Sequence, residues 1–218
     1  MFLFLLGFFS NRKAAGSVHP LGRSSDEDLY RRFAEGDERA FSLLLDRHGD
    51  NVLGYLTRFF GDREMATDLT QDVFLRVISA APEFRGGASF RTFLYRIVRN
   101  LCIDVMRSRR ARPDAGAVSL DGDCEDDSRP LSEVVPGVSP QGPDRTFSGE
   151  LSIAVRAGLA KLPAEQREVF LMREVEGLKF CDIADVLGIN ENTVKSRMHY
   201  ALTSLRQALA QFRDGDAG

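Results

Sequence analysis

The chain has 218 residues, of which 43% are hydrophobic and 28% charged, and its formal net charge is −3 at pH 7. This length suits one large domain or two small ones, and the composition is typical of a soluble globular protein. No apolar run approaches the roughly 20 residues of a membrane-spanning helix. The near-neutral net charge gives no indication of a nucleic-acid partner, so the charge has to be examined segment by segment.

Three cysteines and three histidines are scattered along the chain without the spacing of a metal site. They are Cys102, Cys124, Cys181, His19, His48 and His199. An odd number of isolated cysteines indicates a reducing cytosol and argues against disulfides or zinc. There is also no phosphate-binding loop, nucleophile motif or paired-carboxylate signature. We therefore predict a cytoplasmic protein that is not an enzyme and binds no metal, cofactor or small-molecule substrate.

The first ten residues, MFLFLLGFFS, are strongly apolar. A signal peptide would carry its positive charge before the apolar run, whereas Arg12 and Lys13 follow it. Two interpretations remain open: a segment that touches a membrane, or a translation start placed too early. We predict that residues 1–23 are an apolar or disordered extension without a function of its own.

Residues 24–112 carry the apolar periodicity of a compact all-helical domain. The predicted helices cover Asp26 to Glu35, Glu38 to Phe60, Arg63 to Ala80, and Phe90 to about Arg110. Ser25 and Ser89 are the predicted N-caps of the first and the last of these helices. Gly36 and Pro82 are predicted to end the first and the third.

Two neighbouring segments have opposite charge. Residues 85–112 carry eight arginines against one acid, Asp104, for a net charge of +7. Residues 111–150 carry nine acids against three arginines, for a net charge of −6, together with five prolines, five glycines and five serines. Such a segment cannot bury enough apolar surface to offset its ordering entropy. We predict that residues 113–148 are a flexible acidic linker.

Residues 149–213 are predicted to form a second helical domain, followed by a tail at 214–218. Pro163 suits the first turn of a helix over residues 164–176. Two further helices, joined at Gly188, have the pattern of a helix-turn-helix: Gly188 supplies a positive φ and Asn190 caps the second helix. The inward residues of the two helices are Ile183, Ala184, Leu187, Val194, Met198, Ala201, Leu202, Leu205, Leu209 and Phe212.

The opposite face of the second helix carries Thr193, Lys195, Ser196 and Arg197 near its start. Short donors and cations at this position are what major-groove reading requires. The alternative is an ordinary helical hairpin with a solvated basic face.

Three stretches resemble, in this order, the extracytoplasmic-function (ECF) sigma factors of bacterial RNA polymerase, in the sigma-70 superfamily. DLTQDVFLRV (68–77) resembles the helix that binds the polymerase clamp, and FRGGASFRTFLYRIVRNLCID (84–104) resembles the −10 promoter reader. LPAEQREVFLMREVEGLKFCDIADVLGINENTVKSRMHYAL (162–202) resembles the −35 reader. The resemblance implies a region 2 domain at 24–112 and a region 4 domain at 149–213. The expected function is to bind core polymerase, recognise the −35 and −10 elements and promote melting.

The resemblance assigns residues to each contact. For core polymerase these are Asp68, Gln71, Asp72 and Leu75, whose spacing places them on one helical face. The alternative for this face is a merely solvated acidic surface.

For the −10 element, the family captures a flipped base, which costs a few kcal/mol of lost stacking. The resemblance implies that Phe84, Arg96 and Asn100 line or buttress that pocket, although Phe84 also suits a core position. Other arginines are better interpreted as phosphate contacts, or alternatively as a solubilising basic face. They are Arg91, Arg99, Arg107, Arg109 and Arg110.

For the −35 element the implied residues are Asn192, Thr193, Lys195, Ser196 and Arg197. Lys195 and Arg197 project about 200° apart, so we expect only one of them to reach bases. The implied partners are core RNA polymerase, promoter DNA and an anti-sigma factor, since the sequence shows no sensor domain. The acidic linker would thread through polymerase channels, or serve as a plain tether.

Two other functions are considered. A helix-turn-helix regulator with a ligand-sensing domain would need a pocket and a dimerisation helix, and would not explain the acidic face around Asp72. A sigma mimic that sequesters an anti-sigma factor should lack DNA-reading residues, yet Arg96, Lys195 and Arg197 are present.

Overall fold

The structure, a computed structural model, describes residues 24–81, 89–111 and 149–213. The helices are α1 (Asp26–Ala34), α2 (Glu38–Phe60), α3 (Arg63–Ala80), α4 (Phe90–Arg110), α5 (Gly149–Lys161), α6 (Ala164–Phe170), α7 (Phe180–Leu187) and α8 (Glu191–Arg213). These ranges contain no strand, so the all-α prediction is confirmed. The predicted extension, linker and tail lie outside the described residues. No helix in the described ranges has the length and apolar character needed to span a membrane.

The described chain divides into two compact units. Among the described residues, the first consists of 24–57, 62–81 and 89–104, and the second of 58–61, 105–111 and 149–213. We refer to them as the N-terminal and C-terminal units. The prediction of two helical domains, the second with a helix-turn-helix, is therefore confirmed.

The helices of the N-terminal unit begin at side-chain caps. The hydroxyl of Ser25 accepts from the Asp28 N–H at 3.1 Å, and the hydroxyl of Ser89 accepts from the Thr92 N–H at 3.1 Å, as predicted. A cap not recognised in the sequence is Asp62, whose Oδ1 accepts from the Met65 N–H at 3.1 Å. Such a cap contributes about 1 kcal/mol and determines where a helix begins.

The core of the N-terminal unit is built from the apolar faces of its four helices. Its fully buried members include Leu29, Tyr30, Leu44, Leu45, Val52, Leu56, Val73, Phe74, Phe90, Leu94 and Val98. Aromatic rings gather at the start of α4, where the Tyr30 ring lies 5.0 Å from that of Phe90 and 5.4 Å from that of Phe93. Burying one such side chain contributes about 1.5–3 kcal/mol, so this core is the main source of the unit's stability.

Polar contacts made by α1 extend across the same unit. The Tyr30 hydroxyl donates to the Val77 carbonyl at 2.6 Å, and burial raises the pKa of Tyr30, which keeps this donor protonated. Asp26 accepts from Arg47 Nη1 at 2.5 Å and contacts His48 Nε2 at 2.7 Å. These contacts fasten α1 to α2 and α3.

Charge and burial oppose each other at the Asp26–His48 contact. Burial alone would raise the pKa of Asp26, but the contacts with Arg47 and His48 outweigh it and hold that pKa below 3.8. For His48, burial lowers the pKa below 6.5, and the nearby Asp26 carboxylate offsets only part of this shift. The Arg91 and Arg47 charges lower the His48 pKa further.

The C-terminal unit is organised around α8, which packs against α5, α6 and α7. The predicted inward faces are confirmed: Ile183, Ala184, Leu187, Val194, Met198, Ala201 and Leu205 are buried. Leu202 and Leu209 are half-buried, and the Phe212 side chain lies outside the described residues. Gly158 of α5 allows a close approach, because a Cβ there would lie 3.0 Å from Leu205 Cδ2.

One predicted helix differs from the structure. Residues 164–176 were expected to form a single helix, but α6 ends at Phe170 and a π-helical turn, Leu171–Val175, follows. The Glu176 N–H donates to the Leu171 carbonyl at 3.1 Å, which closes a turn one residue wider than an α turn. Gly177, at φ +65°, then turns the chain toward α7. Pro163 is the N-cap of α6, immediately before its first turn.

Acidification from about pH 7.5 to about pH 5.5 is expected to destabilise the N-terminal unit partly through His48. An unfolded chain takes up a proton at the ordinary histidine pKa of 6.5, whereas the folded unit holds that pKa lower. The unfolded state therefore binds more protons as the pH falls through this window, and stability decreases. We expect His48→Gln to flatten the dependence of the unfolding free energy on pH.

The measurement is denaturant unfolding of the full chain followed by tyrosine fluorescence. Three of the four tyrosines lie in the N-terminal unit, so this signal mainly reports its unfolding. His199→Gln, a change at an exposed histidine of the C-terminal unit, is the control. Equal pH slopes for the wild type and His48→Gln would contradict the prediction.

Candidate polymerase and promoter interfaces

The acidic patch on α3 consists of Asp68, Gln71, Asp72 and Leu75. Asp68 and Asp72 are exposed, and Gln71 and Leu75 are half-buried. The other side of α3 is in the core, where its buried residues are Ala66, Leu69, Thr70, Val73, Phe74 and Val77. Within the described part of the chain neither carboxylate of the patch has an ion-pair partner. The patch is thus a continuous surface with two uncompensated negative charges.

An ion pair bounds the acidic patch on its C-terminal side. Arg76 Nη1 lies 3.2 Å from Asp104 Oδ2, which joins α3 to α4. Both side chains are about half exposed, so the pair contributes little stability. Asp104, the one acid of the basic segment, is thereby directed toward α3.

The predicted −10 residues on α4 fall into two groups. Arg96, Asn100 and Arg107 are exposed, and their spacing of four and seven places them in a single row along the helix. Arg91 and Arg99 are half-buried, and Arg91 is close enough to affect the pKa of His48. Arg109 is exposed, whereas Phe84 and the Arg110 side chain lie outside the described residues.

The first turn of α4 has two side-chain acceptors from different parts of the chain. Besides the Ser89 cap, Glu27 of α1 places its Oε1 2.8 Å from the Phe90 backbone nitrogen, which donates to it. Ser89 Oγ also lies 2.8 Å from Thr92 Oγ1. The Glu27 contact was not predicted, because a contact between residues 63 positions apart leaves no local pattern in the sequence.

The turn of the helix-turn-helix has the predicted geometry. Gly188 has φ +68° and ψ 32°, and its N–H donates to the Ala184 carbonyl at 2.8 Å. A Cβ at this position would meet no atom within 4 Å, so the need for glycine comes from the backbone conformation. Asn190 Oδ1 accepts from the Thr193 N–H at 2.8 Å and from its hydroxyl at 3.1 Å. The Thr193 hydroxyl is therefore already engaged in the cap.

The two cations of α8 have different surroundings. Lys195 is exposed and pairs at 2.8 Å with Glu191, one turn earlier on the same helix. Arg197 has only 21% of its side chain exposed and lies 2.5 Å from Glu165 Oε2 on α6. A second carboxylate, that of Glu168, lies 3.8 Å from Arg197. Arg197 thus faces α6.

The exposed surface of α8 includes residues that the sequence analysis did not select. Asn192 and Ser196 are exposed as predicted. His199 and Tyr200 continue this surface beyond Ser196, with 54% of Tyr200 exposed and the two rings 5.9 Å apart. Extending the spacing of three and four residues from Ser196 would have identified both.

Two family models match the chain, one after the other. Residues 44–112 match Sigma-70 region 2, and residues 152–205 match Sigma-70 region 4. The RNA polymerase sigma-H factor of Pseudomonas aeruginosa is 31% identical over 191 residues, which cover 87% of this chain and 96% of that protein. The ECF RNA polymerase sigma factor SigM of Mycobacterium tuberculosis is 33% identical over 191 residues, which cover 88% of each chain. The chain belongs to the ECF sigma factors of the sigma-70 family.

Solved structures agree with this assignment. The structure of CnrH in complex with the cytosolic domain of CnrY matches with a TM-score of 0.62 and 25% identity, over 85% of this chain and 97% of that one. The sigma factor RpoE of Bartonella quintana, solved with the anti-sigma factor NepR, has the same fold, with a TM-score of 0.60 at 23% identity over 78% of this chain and 96% of that one. This ECF sigma factor is thus an alternative sigma factor that binds core RNA polymerase and recognises promoter DNA. Sigma factors are generally not enzymes.

Proposed function

We propose that this ECF sigma factor binds core polymerase through the acidic patch, opens the −10 element with the exposed row of α4, and reads the −35 element with the start of α8. The observation that carries the proposal is the presence of both sigma regions in order in one chain, with a relative aligned over 96% of its own length. The corresponding domains are region 2 at 24–112 and region 4 at 149–213, with an acidic linker at 113–148. Residues 1–23 and 214–218 flank them as extension and tail.

For polymerase binding, the charge of the acidic patch is the main argument. Asp68 and Asp72 are exposed one turn apart, beside the half-buried Leu75. Two carboxylates next to an apolar side chain suit a partner surface that carries arginine, because guanidinium groups bind carboxylates in a planar, bidentate geometry. The amide of Gln71 adds a neutral hydrogen-bonding group at the same face.

For the −10 element, we assign different roles within α4. Asn100 carries a donor and an acceptor on one amide, so it can address the edge of a flipped base, with Arg96 one turn away. Arg107, further along the same row, is suited to a phosphate contact. Arg91 and Arg99 are half-buried, and we assign them to the margin of the interface. We propose that Phe84, which lies outside the described residues, lines or buttresses the same pocket.

For the −35 element, exposure and pairing distinguish the residues of α8. Asn192 and Ser196 are exposed on the side away from the core, and amide and hydroxyl groups can bond to base edges in the major groove. Lys195 forms an exposed ion pair with Glu191, and such a pair contributes little free energy. A DNA phosphate can therefore readily replace Glu191 as its partner. Arg197, which pairs with Glu165 on α6, orients α8. Thr193 stabilises the start of α8 through its hydrogen bonds to Asn190.

We further propose that an anti-sigma factor controls this protein and releases it in response to a stress signal. This proposal is supported by the similar protein CnrH, whose structure contains the cytosolic domain of a second protein, CnrY. Because core polymerase is its functional partner, the protein is proposed to act in the cytoplasm. It has no catalytic activity of its own in this proposal, since polymerase performs the chemistry.

Run-off transcription with purified core polymerase and genomic fragments tests the function directly. We expect specific transcripts only when the protein is present, and the fragments that yield them supply its promoters. A helix-turn-helix regulator or a sigma mimic would give no transcript with core polymerase alone. That result would overturn the proposal.

Asp72→Arg should weaken core binding by roughly tenfold or more, because like charges placed together at an interface cost several kcal/mol. Affinity for core polymerase is measured by fluorescence anisotropy of the labelled protein. Asp46→Arg, the same change at an exposed aspartate on α2, is the matched control. Unchanged affinity of Asp72→Arg, with a native circular dichroism spectrum, would remove the acidic patch from the interface.

Lys195→Ala should reduce affinity on specific and random DNA alike and lower the salt slope by about one, because one phosphate contact is lost. Arg197→Met should instead lower the unfolding free energy of the C-terminal unit by about 1–2 kcal/mol and leave the salt slope unchanged. DNA titrations at several salt concentrations and urea unfolding provide the two measurements. A reduced salt slope for Arg197→Met would show that this arginine contacts phosphate.

Asn100→Ala should leave core binding and −35 recognition intact but impair opening of the −10 element. On a template already unpaired there, rescue should be partial, since melting no longer limits while the captured base still lacks a partner. Permanganate reactivity of unpaired thymines measures opening of the duplex, and transcript yield measures rescue on the pre-melted template. Asn51→Ala, a change at an exposed asparagine on α2, is the control, and normal opening by Asn100→Ala would exclude this residue.

A further inference from the structure

Helix α1 contacts the two helix ends that flank residues 82–88. The Tyr30 hydroxyl donates to the carbonyl of Val77, in the last turn of α3, at 2.6 Å. Its ring packs on Phe90 and Phe93, in the first turn of α4, at 5.0 and 5.4 Å. A single buried side chain therefore contacts both the end of α3 and the start of α4.

Glu27 lies one turn before Tyr30 and acts on the backbone of α4. Its Oε1 accepts from the Phe90 N–H at 2.8 Å, although 63 positions separate the two residues. The first N–H groups of a helix have no partner within the helix, and Phe90 is fully buried, so this amide depends on an acceptor from elsewhere. A carboxylate at a helix N-terminus is also favoured by the helix dipole.

The Glu27 contact rests on a fixed support, because α1 is itself held by α2. Arg47 Nη1 donates to the Ser24 carbonyl at 3.0 Å as well as to Asp26. His48, also bound to Asp26, places its ring 5.4 Å from that of Phe90. Glu27 thus lies on a helix that is bonded to α2 through Ser24 and Asp26 and to α3 through Tyr30.

We propose that Glu27 is a positioning residue for promoter opening, which sets the first turn of α4 and through it the row that contains Arg96 and Asn100. This inference rests on the proposed function of that row. Asn100 lies on the same continuous helix as Phe90, so a shift or tilt of the first turn of α4 relative to α1 would also displace the Asn100 side chain. Glu27 does not reach DNA in this assignment; it acts through the backbone of α4.

The inference predicts a selective defect. The acidic patch belongs to α3 and the −35 residues belong to α8, so removal of the Glu27 carboxylate should spare polymerase binding and −35 recognition. Opening of the −10 element should be lost in part, because the first turn of α4 loses one of its acceptors. Glutamine keeps a side-chain oxygen at nearly the same position, so Glu27→Gln should restore the contact.

The test uses holoenzyme and a promoter fragment selected by the wild-type protein in run-off transcription. We expect Glu27→Ala to reduce permanganate reactivity on the duplex by about fivefold to tenfold. This is the factor in an equilibrium constant that corresponds to the free energy of one lost helix cap. Glu27→Gln should stay within about twofold of the wild type. On a pre-melted template Glu27→Ala should recover transcript yield at least as far as Asn100→Ala does, because the cost of opening the duplex is removed and the Asn100 amide is still present.

The matched control is Asp28→Ala, which removes the same charge from the neighbouring residue, whose carboxylate pairs with exposed Arg31 at 2.8 Å. Opening by Glu27→Ala equal to that of Asp28→Ala would overturn the inference, provided that the wild type opens the promoter. Parallel loss of core binding and of the helical signal in Glu27→Ala would overturn it too, since Glu27 would then support the fold in general. A wild-type holoenzyme that opens no fragment would instead overturn the proposed function itself.

Discussion

Unpaired N–H groups at the first turn of a helix must find acceptors, and the interfaces of this sigma factor depend on how that requirement is met. Ser25, Asp62, Ser89 and Asn190 each supply an acceptor from the residue that precedes a helix. Such a cap fixes the residue at which the helix starts. The buried apolar residues hold each helix against rotation, and since each residue turns the helix by 100°, they fix which face meets the partner. The positions of Asn100 and Ser196 therefore depend on the caps at Ser89 and Asn190 together with the apolar faces behind them.

Features that depend on residues within four positions of each other were predictable from the sequence. The caps at Ser25, Ser89 and Asn190, the apolar faces and the left-handed glycine at 188 are all of this kind, and so is the shared face of Asp68 and Asp72. Contacts between distant segments were not predictable, because no local pattern distinguishes Glu27 from the acidic residues beside it. The same holds for the contact of Arg197 with Glu165 on α6, which joins residues 32 positions apart.

The π turn was missed for a different reason. The run LMREV has apolar and charged residues in an order that either an α-helix or a π turn can accommodate. The choice depends on the packing of Leu171 and Met172, both fully buried, and on the buried Glu176. Tertiary burial, which a single sequence does not reveal, therefore decides the backbone hydrogen-bonding pattern here.

The π turn also bears on how chains of unequal length can build the same domain. A π turn accommodates one residue more than an α turn while the helix continues in the same direction. A relative that lacked one residue between Leu171 and Val175 would close this segment as ordinary α-helix, and the helix-turn-helix that follows would keep its place. The segment is thus a site where a single-residue insertion or deletion can be accommodated during evolution without loss of the helix-turn-helix that follows.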